Sequence, residues 1–208
     1  MDWRNRAPHP TLSGLRLYGR RVMLRPLMTG DFPNWSEVRR RNRDWLVPWE
    51  PTRPPSQVDP AESRDAFAAR CGIRERERAN GTAYSFGLFV DAAFAGEVNL
   101  ANVQRGPIQT GTVGYWIDQQ RAGQGYVAEG VVVLMRYAFD ELRLHRLEVC
   151  IVPRNTNSRR VMDKLDLREE GTSVRMLEIN GVWEDHTRYA ITAEEWRERQ
   201  WELCSVWL

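Results

Sequence analysis

The stretch Gln120-Arg121-Ala122-Gly123-Gln124-Gly125-Tyr126 constrains this chain more than any other. Before it, Thr112–Ile117 is dense in β-branched and aromatic residues and predicts a buried strand. After it, Val127, Val131, Leu134, Met135, Ala138 and Leu142 recur at the period of an amphipathic helix. A glycine loop therefore joins a strand end to a helix start. Such a start exposes N–H groups without intrahelical partners, and the helix dipole favours negative charge there. Glycine lets backbone come close to a bulky anion. The expectation is a phosphate or pyrophosphate cradle.

The rest of the chain bounds the possibilities. The 208 residues allow one domain, expected over 15–199, between a loose tail at 1–14 and a C-terminal tail at 200–208. Formal net charge is only +2, with 30 basic residues matched by 28 acidic ones, which argues against direct nucleic-acid binding. Cys71, Cys150 and Cys204 are widely spaced and odd in number, so neither a disulfide framework nor a metal site is expected. No apolar run approaches the ~20 residues of a membrane span, and no secretion signal is evident. A cytoplasmic protein is expected.

In chain order, Arg20–Arg25 reads as a strand, and Asp31 as the cap of a helix to about Arg43 with Trp35, Val38 and Asn42 inward. Residues 45–49 read as an apolar loop whose Trp45 and Trp49 either form a binding lip or, more commonly, fold into the core. Residues 51–60 hold four prolines and exclude regular structure. A helix over Ala61 to about Arg78 ends in a charge run expected to be solvated. Strands follow at 84–90, 94–100, 112–118, 145–152, 168–180 and 182–192, with helices from about Asn155 to Leu165 and from Ala193 to about Trp201. Asn180-Gly181 signals a type I′ hairpin. The fold class is α+β: a mixed sheet of about seven strands, with 112–118 and 145–152 as its parallel pair, flanked by four to five helices.

The loop spacing is Q-x-x-G-x-G, which is neither the dinucleotide pattern nor a Walker loop. Following a Gly-Tyr-Trp-Ile strand, it resembles the acyl-CoA pyrophosphate loop of the GNAT superfamily of N-acetyltransferases. The segments Pro153–Leu165 and Leu167–Gly171, Asn180-Gly181 with Trp183, Asp185 and His186, and Gly96–Gly106 extend the likeness. They are similar to the ribosomal-protein alanine N-acetyltransferases, the RimJ/RimL group, and nearer to RimJ.

The resemblance implies that the two parallel strands splay and that acetyl-CoA lies between them. It implies that backbone groups of Ile117 and Asp118 hold pantetheine and the acetyl oxygen. Arg121, Gly123, Gln124, Gly125 and Tyr126 would hold the pyrophosphate. Asn155 and Ser158 would approach the pantetheine and sulfur, and Lys164 the cofactor's far end. The expected acceptor is a protein N-terminal α-amine, such as that of a ribosomal protein. The alternatives are a small amine such as an antibiotic or polyamine, and a non-catalytic acyl-CoA-binding module.

The chemistry needs a neutral amine, donors for an oxyanion and a proton for the leaving thiolate. Ser158 is the candidate for the last role; the alternative is that it merely caps a helix. An α-amine, with a pKa of ~7.7–8.0, tolerates a weak base, whereas a lysine at ~10.4 does not. Some relatives carry a Glu where Leu177 stands here. Glu178 is next door but faces the other way on a strand. Glu97, Asn99 and His186 are the remaining base or orienting candidates; for His186 a structural hydrogen bond is the stronger expectation.

Overall fold

The computed structural model describes residues 14–208. The expected tail, with His9, lies outside them except for Gly14. Eight strands form one sheet in the order β1-β2-β3-β4-β5-β6-β8-β7. They are β1 (Leu17–Tyr18), β2 (Val22–Arg25), β3 (Tyr84–Val90), β4 (Ala93–Gln104), β5 (Thr110–Ile117), β6 (Arg146–Ile151), β7 (Arg168–Ile179) and β8 (Val182–Thr192). The strand beyond the expected seven is the two-residue β1. β5 and β6 are parallel, as the sequence predicts, and every other pairing is antiparallel.

Among the described residues six α-helices flank the sheet: α1 (Phe32–Arg41), α2 (Arg43–Leu46), α3 (Arg64–Asn80), α4 (Tyr126–Arg136), α5 (Thr156–Leu165) and α6 (Ala193–Trp207). The main core lies between one sheet face and α4, α5 and α6. Every residue of α4 from Val127 to Met135 is buried. Gly130 lets the helix lie close: a Cβ there would meet Leu88 at 2.9 Å. A smaller core on the opposite face joins Trp35 and Val38 of α1 and Phe67 of α3 to Phe89, Phe94 and Trp116. Each such buried side chain contributes about 1.5–3 kcal/mol.

Several expectations need correction. Asp31 stands at the start of α1, but its carboxylate turns back to Arg25 and the Met28 N–H instead of capping. Residues 45–49 are not a loop but the end of α2 and a 3₁₀ turn, and Trp45 and Trp49 are only half-buried. β4 extends to Gln104, which pairs with Thr110, so these two strands run beyond the ends expected at 100 and 112. The charge run at the end of α3 is not simply solvated, because Arg74 reaches a buried carboxylate and Arg78 is itself buried. α6 continues past Trp201 to Trp207 because Leu203 is buried in the main core, so residues 200–207 are helix. Asn180 and Gly181 both have positive φ, 48° and 84°, as a type I′ turn demands.

Candidate active site

β5 and β6 pair only over Thr110↔Arg146, Gly111↔Leu147 and Thr112↔Glu148, then diverge. β5 stays bonded to β4 throughout its far half, from Val113 to Ile117. On an antiparallel ladder, alternate residues direct their backbone groups to opposite sides. Asp118 donates its N–H to Ala95 O at 2.7 Å, so Asp118, Trp116 and Gly114 bond toward β4. Val113, Tyr115 and Ile117 therefore direct theirs into the opening. The expectation for Asp118 is corrected: its N–H is used within the sheet.

A cavity of about 820 Å³ fills this opening. Of the residues that the resemblance assigns to the cofactor, Ile117, Arg121, Gly123, Gly125, Tyr126, Asn155, Ser158 and Lys164 line it. Asp118 and Gln124 do not. Asp118 is buried and held by Arg41 and by Asn42 Nδ2 at 2.9 Å. Burial pushes its carboxyl up, but these hydrogen bonds outweigh that and hold it below its ordinary value. It accepts from the Gln120 N–H at 3.3 Å and so fixes the turn that leads into the cradle. The Gln124 carbonyl accepts from Arg21 at 3.1 Å.

Gly123 and Gly125 have φ of 79° and 86°, which glycine adopts without strain. Gly125 caps α4, and the first intrahelical bond is Glu129 N–H to Gly125 O at 3.0 Å. The N–H groups before Glu129 thus lack helical partners at the cavity wall. Glu129, absent from the sequence reading, is buried in that first turn and accepts from Val22 N–H at 3.0 Å and Arg21 Nε at 2.9 Å. It pins the cradle to β2. A Cβ at Gly114 or Gly123 would meet nothing within 4 Å, so both open onto free space. The lining includes the cations Arg121, Arg160 and Lys164 together with Trp45, Leu46 and Trp49. Cationic and apolar groups in one cavity fit a coenzyme A thioester.

Ser158 does not cap α5. Asn155 does: its Oδ1 accepts from the Ser158 N–H at 3.1 Å. The Ser158 hydroxyl instead donates to Tyr115 Oη at 3.0 Å. Burial pushes the Tyr115 phenol up, only partly offset by the Ser158 hydrogen bond. Tyr115 escaped the sequence reading; its alternation with Val113 and Ile117 on β5 was the available signal.

A second cavity of about 1190 Å³ lies beyond the strand. Glu50, Asn99 and Trp116 line both cavities, so the two meet there. Glu97 and Asn99 share one face of β4, as expected, but differ in kind. Glu97 is buried and accepts from Trp35 Nε1 at 2.6 Å, Arg70 at 2.8 Å and Arg74 at 2.7 Å. Burial pushes its carboxyl up, but Arg70 and Arg74 outweigh this and hold it well below its ordinary value. A carboxylate so saturated braces the site and is no general base. Among the described residues the Asn99 side chain has no hydrogen-bond partner, and its Oδ1 is buried. His186 lines neither cavity; it is buried in the β7–β8 hairpin with Nδ1 3.0 Å from Glu184 O. Leu177 is exposed, and Glu178 accepts from Thr52 Oγ1 at 2.6 Å and from Gly181 N–H at 2.7 Å.

Among the described residues no cluster could hold a metal ion, and no helix is long and apolar enough to cross a membrane. The family model for the acetyltransferase (GNAT) domain matches residues 21–168. A probable N-acetyltransferase, YjcK, of Bacillus subtilis is 33% identical over 84% of this chain and 96% of its own length. The [ribosomal protein uS5]-alanine N-acetyltransferase of Escherichia coli is 30% identical, over 88% of this chain and 93% of its own. The structure of Mycobacterium smegmatis RimJ in complex with CoA-disulfide superposes with a TM-score of 0.79 at 32% identity, covering 87% of each chain.

Proposed function

This chain belongs to the acetyltransferase (GNAT) family and is an N-acetyltransferase, and on that premise we propose that its acceptor is a protein N-terminal α-amine, such as that of a ribosomal protein. The observation that carries the reading is the meeting of two cavities at one point of a splayed strand. One cavity suits acetyl-CoA, which supplies an activated acetyl group; the other admits an amine from the opposite side.

The residues divide the work as follows. Arg121, the glycines at 123 and 125, and the free N–H groups at the start of α4 hold phosphates. Arg160 and Lys164 add charge along the same wall. Backbone N–H groups of β5 at Tyr115 and Ile117 are the donors available to stabilise an oxyanion. Ser158, backed by Tyr115, supplies a hydroxyl proton toward the leaving sulfur. Asn99 orients the acceptor nitrogen. His186, Glu97 and Glu178 have no part in proton transfer.

The second cavity supports a peptide over a polycation. Arg39, Arg53, Arg70 and Arg74 line it, opposed by Glu50, Glu77 and Glu97, so it offers no acidic trap for a polyamine or aminoglycoside. An α-amine also needs less help to lose its proton than lysine does. We place the enzyme in the cytoplasm, where acetyl-CoA and nascent chains are found. The test is incubation with labelled acetyl-CoA and a panel of ribosomal-protein N-terminal peptides, N-terminally blocked lysine peptides and aminoglycosides. Label on the α-amine peptides alone is the expected result; label only on aminoglycosides sinks the reading.

A further inference from the structure

Glu50 stands out once the two cavities are compared. Among the described residues it is the sole carboxylate lining the 820 Å³ cavity, and it also lines the second one. Its side chain is 33% exposed, whereas Glu97 is sealed. Its carboxylate receives a two-pronged hydrogen bond from Arg39, at 2.7 and 2.8 Å. That uses one lone pair on each oxygen and leaves the others free to accept. Arg39 is itself fixed, its guanidinium 5.0 Å from the Trp116 ring centre and 5.9 Å from that of Trp35. The backbone is held too: Glu50 N–H donates to Val47 O at 3.2 Å, and Glu50 O accepts from the Asn180 N–H at 2.9 Å. The pair is largely enclosed, with Arg39 15% and Glu50 33% exposed, so the carboxylate is held in one place on the wall that both cavities share.

We infer that Glu50 is the positioning residue that receives the acceptor's ammonium group where the two cavities meet. This rests on the amine-acetylation reading above. Glu50 draws the cationic end of the acceptor toward Asn99 and the open backbone of β5. Arg39 keeps the carboxylate aimed through its two hydrogen bonds. Glu50 therefore selects and places the amine, and the proton leaves to water. An α-amine near ~7.7–8.0 gives it up readily. The same arrangement disfavours neutral nucleophiles such as alcohols, which offer no charge to the carboxylate.

The experiment compares wild type with Glu50→Gln and Glu50→Asp on the panel of ribosomal-protein N-terminal peptides, blocked lysine peptides and aminoglycosides. The expected result for Glu50→Gln is an acceptor KM raised at least tenfold. Its CoA Kd by calorimetry and its melting temperature should stay at wild-type values. Glu50→Asp, which keeps the charge, should recover part of the loss. An unchanged acceptor KM overturns the inference while leaving the acetyltransferase reading intact. A parallel loss of CoA affinity and melting temperature in both variants also overturns it, since Glu50 is then a wall brace. Failure of the wild-type enzyme to acetylate any amine overturns the functional reading and this inference together.

Discussion

The Ser158 hydroxyl donates to Tyr115 Oη at 3.0 Å, and that phenol donates onward to the Ser158 carbonyl at 3.1 Å. The pair links α5 to β5 across the opening where β6 has fallen away. Rotation of the serine hydroxyl presents its proton to the cavity. Ser158→Ala is therefore expected to lower kcat by about 100-fold with CoA affinity unchanged. Steady-state kinetics beside calorimetry with CoA check this. Because burial raises the Tyr115 phenol, it keeps its proton throughout the working range. Tyr115→Phe should thus leave any alkaline limb below pH 10 where it is.

Gly114 lies opposite Asn99 in the β4–β5 ladder, and a Cβ there meets nothing within 4 Å. The first carbon of a leucine there has open space, and Gly114→Leu should extend into the meeting point of the cavities. Turnover should fall by at least about 100-fold while the melting temperature holds or rises, since leucine fits a strand better than glycine does. Gly125 is a poorer probe of the cradle. A Cβ there sits 3.2 Å from Trp207 and 3.3 Å from Arg21, on a backbone with φ of 86°, so the fold would be strained as well.

Glu97→Gln leaves Arg70 and Arg74 facing a neutral amide inside the protein. Breaking a buried ion pair costs about 3–5 kcal/mol. The variant should unfold at lower denaturant, and turnover of whatever remains folded should be close to wild type. The pH dependence has a definite sign. The folded-state carboxyl lies below its ordinary value of 4.5, so its contribution is complete above that range and fades as pH falls through and below it. Glu97→Gln should therefore flatten the acid side of the melting-temperature profile. An acid limb as steep as in wild type would show that Glu97 does not carry it.

The cradle was legible because its signals are local: a strand, two glycines and an amphipathic helix follow each other directly. The splay was legible only through the resemblance, since it depends on where β6 leaves β5. The roles of Glu97 and Asn99 were not separable in sequence. They share a strand face, and what distinguishes them is Arg70 and Arg74, which come from a helix more than twenty residues earlier. Glu50 was invisible for a similar reason: its meaning lies in Arg39, Trp116 and the tip of the β7–β8 hairpin meeting there. Trp45 and Trp49 gave a signal but not its sense. Trp45 Nε1 donates to Ile117 O at 3.2 Å, and Arg154 lies 4.7 Å over Trp49, which holds both rings along the cavity wall.

Asn155 carries two duties that substitution can separate. Its Oδ1 caps α5 through the Ser158 N–H, and its side chain lines the acetyl-CoA cavity. Loss of a cap costs about 1 kcal/mol, or about 2–4 °C in a chain of this size. Asn155→Ala should show that shift and should also lower kcat, because Ser158 loses the bond that sets its place. Asn155→Asp caps equally well, and its charge suits a helix N-terminus, so its melting temperature should match or exceed wild type. The same charge faces a cavity built for phosphates, so CoA should bind more weakly, and the deficit should shrink as salt is added. If Asn155→Asp binds CoA as wild type does at low salt, the side chain is a cap alone, and the phosphates lie beyond its reach.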